Sequence, residues 1–384
     1  MANRFTILKN SKIRYFDTLL LLILMLIIIF GLVMLYSVSS YDGSVNYGDS
    51  AYYLKRQLGA TVFGLILMGI VAFLPYHLWE KLRVFVYLFA VLMLLLIIPF
   101  GTRVNGAKRW IYIGGVSIQP AEIAKFAIVV LLAQLLVRLG SKINSWKGLL
   151  VAVAPSVPLI GMIYIITGNL SSAIIVAAIT FVLCFVASSD YKKFLIVILA
   201  LIAIAALYIF IVVKNNEGGM GFRGERILAW LDPDAYASGK GYQTLQALYA
   251  IGSGGFMGKG IGESMQKLGY IPEAQNDMIF AIICEEIGFI GAVCIIVMFL
   301  LLIWRFVIIA TNAPDLYGAL LVVGVMSHIA IQVILNIAVV TNTIPNTGIS
   351  LPFISYGGSS VVILLIEIGL VLSVQRSIKY RDVV

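Results

Sequence analysis

Four carboxylates stand at the start of one apolar segment, where charge is costly if the segment enters a membrane. In YIPEAQNDMIFAIICEEIGFIGA (residues 270–292), Glu273 and Asp277 precede an apolar run, and Glu285 and Glu286 lie inside it. Clustered carboxylates can hold one member with a perturbed pKa or bind a divalent cation through oxygen. Asp277 could instead be a helix N-cap, because aspartate is favoured there and its charge suits the positive helix end.

Neither histidine of the chain competes for the role of a catalytic base. His77 begins one apolar segment and His328 lies inside another, and neither belongs to a Ser/His/Asp or metal-spaced set. A carboxylate is therefore the expected catalyst if the protein is an enzyme. Cys184, Cys284 and Cys294 occur in apolar runs without CxxC spacing, which predicts buried structural thiols rather than a zinc site or a disulfide framework.

A basic pair precedes another apolar segment. In RVNGAKRWIYIGGVSIQPAEIAKFA (residues 103–127), Lys108 and Arg109 are followed by Trp110. Such a pair could contact lipid headgroups, and it also suits the charge of a lipid-linked diphosphate.

The helix that follows this pair carries two ionisable residues. Gln119 and the proline after it are typical of a helix start, where the missing proline N–H costs nothing. Glu122 and Lys125 are spaced i,i+3 and can face each other. Ionisable residues at membrane depth indicate a functional site by default. The alternative is a neutralised ion pair that only fixes the helix in the bundle.

Two irregular stretches could contact a substrate. IGSGGFMGKGIGESMQKLGYIPEAQND (residues 251–277) is rich in glycine around Lys259, but Ser253 and Gly260 stand where a P-loop needs glycine and Ser or Thr. NTIPNTGISLPFISYGGSS (residues 342–360) interrupts two apolar segments, which is tolerated where protein or a water-filled cavity covers the backbone. A re-entrant turn explains its prolines, whereas Ser355, Tyr356 and the Gly-Gly-Ser-Ser after them could present N–H groups to an anion.

The composition tells us which elements must position these residues. Of the 384 residues, 61% are hydrophobic and 12% are charged, whereas soluble domains carry about 25% charged residues. Runs of roughly 20 apolar residues span a bilayer. We predict an all-α polytopic membrane protein of about ten helices, at residues 16–37, 58–76, 82–100, 119–138, 148–167, 169–188, 193–213, 277–304, 316–341 and 358–375.

The basic residues predict the orientation, because Lys and Arg collect in short cytoplasmic loops. They fall in the N-terminal tail, in every second connection and in the C-terminal tail: Arg4, Lys9, Lys12, Arg14, Lys81, Arg83, Arg138, Lys142, Lys147, Lys192, Lys193, Arg305, Arg376, Lys379 and Arg381. Both termini are therefore predicted to be cytoplasmic. This pattern explains the net charge of +9 without a nucleic-acid partner.

One domain of 1–384 is predicted, with cytoplasmic tails at 1–15 and 376–384. Three segments on the extracytoplasmic side, 101–118, 214–276 and 342–357, are too polar or irregular to be simple connectors. The second is a large loop between helices 7 and 8, and a loop of this length in a compact protein is functional or disordered. Its spaced aromatic residues favour order.

Taken together, these stretches resemble the SEDS family, the FtsW/RodA/SpoVE group of bacterial cell-wall proteins. The resemblance rests on VNGAKRWI and QPAEIAK, on GKGIGESMQKLGYIPEAQNDMIFAIICEEIG, and on PNTGISLPFISYGGSS. It covers nearly the whole chain. The IPEAQNDMIFA sequence and FGLVMLYSVSS at the end of the first helix are more similar to the FtsW/SpoVE branch than to RodA.

The resemblance implies a peptidoglycan glycosyltransferase of the plasma membrane that polymerises lipid II, with no nucleotide or organic cofactor. It implies that Asp277 is the general base and that Glu122 and Lys125 matter for function. It also implies a class B penicillin-binding protein as partner, alongside other divisome or elongasome proteins. Where the family often reads QPDLGT, this chain has TGNLSS, so a role for that aspartate cannot be carried over to Asn169.

Chemically, glycan transfer needs a base on the attacking 4-hydroxyl and cations on the departing diphosphate. Asp277 could be the base, and Arg109, Lys125 and Lys259, or a divalent cation such as Mg²⁺ or Mn²⁺, could serve the diphosphate. Lys108, Gln119, Glu122, Glu273, Ser355 and Tyr356 complete the predicted substrate-binding set. Two other hypotheses stay open, a lipid II flippase using intramembrane charges such as Glu367 and a scaffold for wall synthases.

Overall fold

Apolar runs fold as helices in lipid because every backbone N–H and C=O must then be paired within the segment. The computed structural model describes residues 17–104, 107–114, 116–214, 221–239 and 241–378; most of the two predicted cytoplasmic tails lies outside these ranges. Its helices are α1 (Thr18–Tyr47), α2 (Tyr52–Phe73), α3 (His77–Phe100), α4 (Pro120–Leu139), α5 (Trp146–Val153), α6 (Ser156–Thr167), α7 (Leu170–Ala187), α8 (Tyr191–Lys214), α9 (Gly221–Leu231), α10 (Tyr242–Gly254), α11 (Ile279–Thr311), α12 (Leu316–Val340) and α13 (Gly358–Arg376).

The number of membrane spans agrees with the predicted ten. Within the described ranges, nine helices are long and apolar enough to cross a membrane, and the pair α5 and α6 makes a tenth if it counts as one bent span. The two helices of that pair meet at an angle of 45°. Pro155 lies in the break, where it lacks the N–H that would continue the helix. The sequence had predicted one unbroken helix here.

Residues 101–118 form a small antiparallel sheet that the sequence did not predict. Its strands are β1 (Gly101–Val104), β2 (Ala107–Ile113) and β3 (Val116–Ile118), in the order β1-β2-β3. Arg103 is paired with Lys108 across the first ladder. The sheet connects α3 to α4 and occupies the same end of the bundle as the other two irregular segments.

The predicted large loop, 214–276, is partly helical. Within its described residues it contains α9, α10 and, after them, a series of turns that leads to α11. We call the end of the bundle that carries the sheet, α9, α10 and segment 341–357 the loop face. Contacts between these parts, such as the bond from the Trp230 indole to the Asn342 carbonyl, hold it together.

Helix α11 is broken one third of the way along, at Gly288. The backbone of this residue has φ 73° and ψ −167°, a conformation that glycine adopts without a steric penalty. Segment 255–260 lies in the break and replaces the missing helical hydrogen bonds. The Lys259 N–H donates to the Glu285 carbonyl at 3.0 Å, and the next residue along each segment repeats the contact at 2.9 Å. The glycine-rich stretch therefore supplies backbone hydrogen bonds at the break in α11 and stabilises the bend there.

Helices α2 and α13 approach each other closely because glycines face the contact. A Cβ atom added to Gly64 would lie 2.6 Å from Leu365 Cδ1, and one added to Gly369 would lie 2.6 Å from the Met68 carbonyl. Small residues allow such close packing between membrane helices, which lack a hydrophobic driving force for association. The contact brings the beginning of α2 beside the beginning of α13 at the loop face.

Candidate active site

Asp277 lies in the turn before α11 and does not cap that helix. The N-cap position belongs to Met278, and no side chain caps the helix, so the capping hypothesis is wrong. The Oδ1 atom of Asp277 is buried and has no hydrogen-bond partner among the described residues. A buried oxygen without a protein partner is unfavourable for stability, and a catalytic role, a ligand or a bound water can account for it.

An amide on α12 holds the backbone of Asp277 in place. The Asn336 side chain is fully buried, and its Nδ2 atom donates to the Asp277 carbonyl at 2.8 Å and to the Ile349 carbonyl at 2.6 Å. A Cβ atom added to Gly348 would lie 3.4 Å from Asp277 Oδ2. Asp277 therefore sits where the end of the large loop meets segment 341–357.

The surroundings of Asp277 favour its protonated form more than water does. Burial raises the pKa of this carboxyl to about 6, the nearby Glu273 carboxylate adds to the rise, and the charge of Arg226 opposes it. A carboxylate with a pKa near 6 is ionised at neutral pH. It still accepts a proton more readily than an ordinary aspartate.

Glu285 and Glu286 do not join Asp277, so the hypothesis of one cluster of four carboxylates is wrong. Glu285 forms an ion pair with Lys259 at 2.7 Å, and Glu286 pairs with Lys267 at 2.8 Å and accepts from the Ser37 hydroxyl at 2.7 Å. Both carboxylates are buried and compensated. In the part of the chain that the structure describes, three or more His, Cys, Asp or Glu side chains nowhere come together as a metal site would require.

Glu122 and Lys125 face each other as their spacing predicts. The two side chains are buried and 2.7 Å apart. Lys125 Nζ also lies 3.3 Å from Gln332 Oε1, and Gln332 Nε2 donates to the Ser350 carbonyl at 3.1 Å. The ion pair is thereby connected through α12 to segment 341–357.

The beginning of α4 meets the beginning of α13. Gln119 is the N-cap residue of α4, and the proline after it begins the helix, as predicted. The Gln119 N–H donates to the Ser359 hydroxyl at 3.3 Å. The Ser360 hydroxyl donates to Glu122 at 3.4 Å. The Ser-Ser pair of the last motif therefore contacts the predicted α4 residues.

Lys108 and Arg109 point away from each other, because neighbouring residues of a strand face opposite sides of the sheet. Lys108 Nζ donates to the Ile98 carbonyl at 3.2 Å, whereas Arg109 Nε approaches the Thr167 carbonyl at 3.4 Å. Burial lowers the pKa of the Arg109 guanidinium. Of the two, Arg109 is the more enclosed by the bundle.

Ser355 and Tyr356 shape the start of α13. The Ser355 hydroxyl accepts from the Leu351 N–H at 2.8 Å, and the Tyr356 N–H donates to the Gln275 carbonyl at 2.9 Å. The Tyr356 ring meets the Tyr53 ring edge-on at 5.0 Å. The contact at Gln275, two residues before Asp277, joins the end of the large loop to the start of α13.

Sequence reasoning missed three amide side chains that build this site, Asn336, Gln332 and Gln57. The buried Gln57 side chain on α2 donates to the Ser355 carbonyl at 3.3 Å and accepts from the Gly357 N–H at 3.1 Å. All three lie within predicted or observed membrane helices. Uncharged polar residues in apolar runs are a weak signal, but they could have been recognised as the partners of an irregular backbone.

The family model FtsW/RodA/SpoVE, described as "Cell cycle protein", matches residues 17–380. The chain belongs to this family. Stage V sporulation protein E of Bacillus subtilis is 39% identical over 95% of the chain and 98% of that protein. A probable peptidoglycan glycosyltransferase FtsW of Trichlorobacter lovleyi is 36% identical over 97% of the chain and 96% of that protein. The expected family and its FtsW/SpoVE branch are confirmed.

Two solved structures share the fold. One, reported as "Structural coordination of polymerization and crosslinking by a peptidoglycan synthase complex", has a TM-score of 0.78 and 28% identity over 94% of this chain and 98% of that one. The rod shape determining protein RodA of Thermus thermophilus has a TM-score of 0.68 and 26% identity over 95% and 98%. The polytopic helical fold is therefore confirmed.

Asn169, which stands in place of a frequent family aspartate, caps α7. Its side-chain oxygen accepts from the Ser172 N–H at 3.0 Å. Asparagine and aspartate are about equally good N-caps, so the substitution preserves this structural contact while removing the charge.

Proposed function

We propose that the chain polymerises lipid II, with Asp277 as the general base that deprotonates the acceptor sugar. The chain is a multi-pass membrane protein and a peptidoglycan glycosyltransferase, as its relatives and fold indicate, and we propose that it lies in the plasma membrane. One observation supports this role of Asp277. Its carboxylate has a buried oxygen without a hydrogen-bond partner among the described residues, whereas Glu285 and Glu286 are each paired with a lysine.

In the proposed step, the 4-hydroxyl of the acceptor attacks the anomeric carbon of the donor as Asp277 takes its proton. The bond from that carbon to the undecaprenyl diphosphate breaks, and the diphosphate leaves with the electron pair. A single displacement inverts the anomeric centre. Among the described residues Arg109 is bonded to the Thr167 carbonyl at 3.4 Å, and it is the predicted cation that we assign to the diphosphate. Lys125 is buried and paired with Glu122 at 2.7 Å, so we assign it to fixing α4 in the bundle.

Lys259 and Glu273 enter the proposal differently. The charge of Lys259 is balanced by Glu285, so we assign it to holding the helix break rather than to the diphosphate. Glu273 is exposed and acts on Asp277 through its charge. A divalent cation was the expected alternative to cationic side chains, but the described side chains do not form a complete metal site, and no step is assigned to one.

We propose that the loop face is extracytoplasmic and that both termini are cytoplasmic, since the described basic connections lie at the opposite end of the bundle. A class B penicillin-binding protein is the proposed partner, together with other divisome or elongasome membrane proteins. The similar structure of a synthase complex that combines polymerization and crosslinking supports this partner.

The flippase hypothesis finds less support. Glu367 is paired with His328 at 2.8 Å, and both are fully buried. Glu122 is likewise paired with Lys125. Buried side chains that are paired with one another within the bundle fix helices and do not line an open path. A scaffold without catalytic activity would not need a buried carboxylate oxygen that lacks a partner, so Asp277 favours the enzyme over the scaffold hypothesis.

The test is polymerisation of labelled lipid II by the purified protein with its cognate penicillin-binding protein. We expect Asp277→Asn to reduce the rate about 10²- to 10⁴-fold, as loss of a general base does. Glu263→Gln, which neutralises an exposed carboxylate of the same loop, should leave the rate unchanged. Glycan strands of normal length and rate from Asp277→Asn would refute the proposed base.

A further inference from the structure

A pocket of about 250 Å³ on the loop face has no part in the proposed glycosyl transfer. Its walls come from α9, from α10, from Pro272 and from segment 341–357. The side chains that matter for its chemistry are those of Arg226, Trp230, Tyr242 and Gln243. The pocket thus combines two aromatic rings with a guanidinium and an amide.

Hydrogen bonds fix the walls of this pocket. The Trp230 indole N–H donates to the Asn342 carbonyl at 3.0 Å, and the Asn342 amide donates back to the Trp230 carbonyl at 3.3 Å. On the other wall, Gln243 accepts from the Asn346 amide at 3.0 Å and donates to the Pro272 carbonyl at 2.9 Å. The indole face is therefore held in one orientation, which lowers the entropic cost of binding a ligand.

These groups suit a sugar ring better than a diphosphate or a lipid. The indole and phenol rings offer apolar faces with polar edges, and the Tyr242 hydroxyl has no hydrogen-bond partner among the residues that the structure describes. Arg226 is the cation on the described lining, and it already donates to the Asn346 carbonyl at 3.1 Å. A diphosphate would need more positive charge than this.

Three residues of the pocket lining connect it to the surroundings of Asp277. Pro272 on its rim directly precedes Glu273, whose charge acts on Asp277, and the charge of Arg226 acts on Asp277 as well. Asn346 on the opposite wall is two residues from Gly348, which lies against the Asp277 carboxylate. A ring bound in the pocket would have its neighbour in the saccharide near the base.

We propose that this pocket binds one pyranose ring of the peptidoglycan disaccharide and so places the adjoining sugar at Asp277. The proposal rests on the proposed function, because it assigns a subsite to the substrate of that reaction. Trp230 supplies the stacking face, and Tyr242 supplies a hydroxyl for the ring's own hydroxyl groups.

The direct test is ¹⁹F NMR of the full chain with its cognate penicillin-binding protein in nanodiscs, with 5-fluorotryptophan at the five tryptophans. Trp230→Phe assigns the resonance of Trp230. Titration with the soluble disaccharide N-acetylglucosaminyl-N-acetylmuramic acid should shift that resonance and leave that of Trp304, at the other end of the bundle, unmoved. A shift produced by the free stem peptide but not by the disaccharide would overturn the proposal.

Kinetics provide the second measurement. Trp230→Leu and Tyr242→Phe should each raise the KM for lipid II about tenfold while kcat stays within a few-fold. Trp230→Phe, which keeps an aromatic face, should recover most of the affinity, and the lipid-facing Trp304→Leu should change neither constant. An unchanged KM in folded Trp230→Leu would exclude the pocket while leaving polymerisation intact. If instead the wild type binds the disaccharide but makes no glycan, the proposed function fails and the saccharide site stands.

Discussion

Asp277 and Glu286 are nine positions apart in one stretch of sequence, yet their environments are opposite. Glu286 is buried on α11 with a lysine at 2.8 Å and a serine hydroxyl at 2.7 Å. Asp277 has a buried oxygen without a partner in the described part of the chain, and its pKa is raised to about 6. A carboxylate paired at close range with a lysine helps to hold the fold together, whereas Asp277 keeps an oxygen that can take a proton.

The difference arises from what the preceding loop brings to each position. Segment 255–267 folds back on the broken helix and delivers Lys259 and Lys267 to the two glutamates. At Asp277 the Asn336 amide donates to the backbone carbonyl, Gly348 lies against the carboxylate, and the charges of Glu273 and Arg226 act on the carboxylate in opposite directions. The comparison predicts that substitutions at the glutamates change stability, and that substitutions at Asp277 change activity.

The largest effect on stability is expected from Glu286→Ala. Removing one partner leaves the buried Lys267 charge uncompensated, which costs about 3–5 kcal/mol. Thermal unfolding in nanodiscs measures the loss. The double variant Glu286→Leu with Lys267→Met should recover most of it, because an apolar pair of similar volume replaces the ion pair. A double variant as unstable as the single one would show that Glu286 does more than balance that charge.

Asp277→Asn should make the protein more stable at neutral pH. The folded-state pKa of Asp277 lies above its ordinary value, so folding favours the protonated form. Wild type and variant should have equal free energies of unfolding below about pH 4, and the wild type should lose about 1–3 kcal/mol relative to the variant as the pH rises from about 4 to about 6, with no further loss above that. Denaturation midpoints between pH 4 and 8 test this sign. Equal midpoints throughout would indicate an ordinary carboxyl.

The raised pKa of Asp277 also predicts how the rate of polymerisation depends on pH. Asp277 must be ionised to act as a base, so the rate should fall about tenfold for each pH unit below 6. Glu286→Gln, if it folds, should retain this profile. A rate independent of pH between 5 and 7, with binding unchanged, would argue against Asp277 as the titrating group.

Asn336→Ala should misplace Asp277 without removing it. Both amide hydrogens of Asn336 are used on carbonyls that fix the candidate base and segment 341–357, and small displacements at a reaction centre reduce rates by up to about 10²-fold. We expect kcat to fall about 10- to 100-fold with KM within a few-fold. The matched control is Asn312→Ala, which loses an amide bond to a carbonyl at the opposite end of α11. Equal losses in both variants would indicate a general effect on stability.

The smallest effect is expected from Glu367→Gln. This side chain lies mid-helix and is paired only with His328 among the described residues. Glutamine keeps the volume of the side chain and an oxygen that can accept from the imidazole N–H, so polymerisation should stay within about twofold of wild type. Loss of lipid II flipping in liposomes by this variant, with the fold intact, would favour a translocation path through the bundle.

Much of the fold could be predicted because the bilayer imposes it. Apolar length alone gives ten spans, and the structure has nine helices and one bent pair in its described residues. The break at Pro155 and the longer α1, which continues to Tyr47, show that apolarity locates a span but not its ends. The small sheet was missed because its strands are short and pair only with one another.

The sequence predicted which types of residue form the candidate site, but it did not predict which of them contact each other. Spacing within one helix sufficed for the ion pair of Glu122 and Lys125, because three residues bring side chains to the same face. Lys259 and Glu285 are 26 positions apart, and Asn336 and Asp277 are 59 apart. Nothing local specifies such partners.

The sequence by itself determined that this chain spans a membrane many times, and it predicted a carboxylate rather than a histidine as the catalyst. Residue types and spacing did not rank Asp277 against Glu285 and Glu286, and only the family resemblance pointed to Asp277. The tertiary structure supplied the physical difference, by bringing lysines from the preceding loop to the two glutamates and an asparagine amide to the backbone of the aspartate. Burial of the carboxyl and the nearby charge of Glu273 are properties of the folded environment, and they raise the pKa of Asp277 although the charge of Arg226 opposes them.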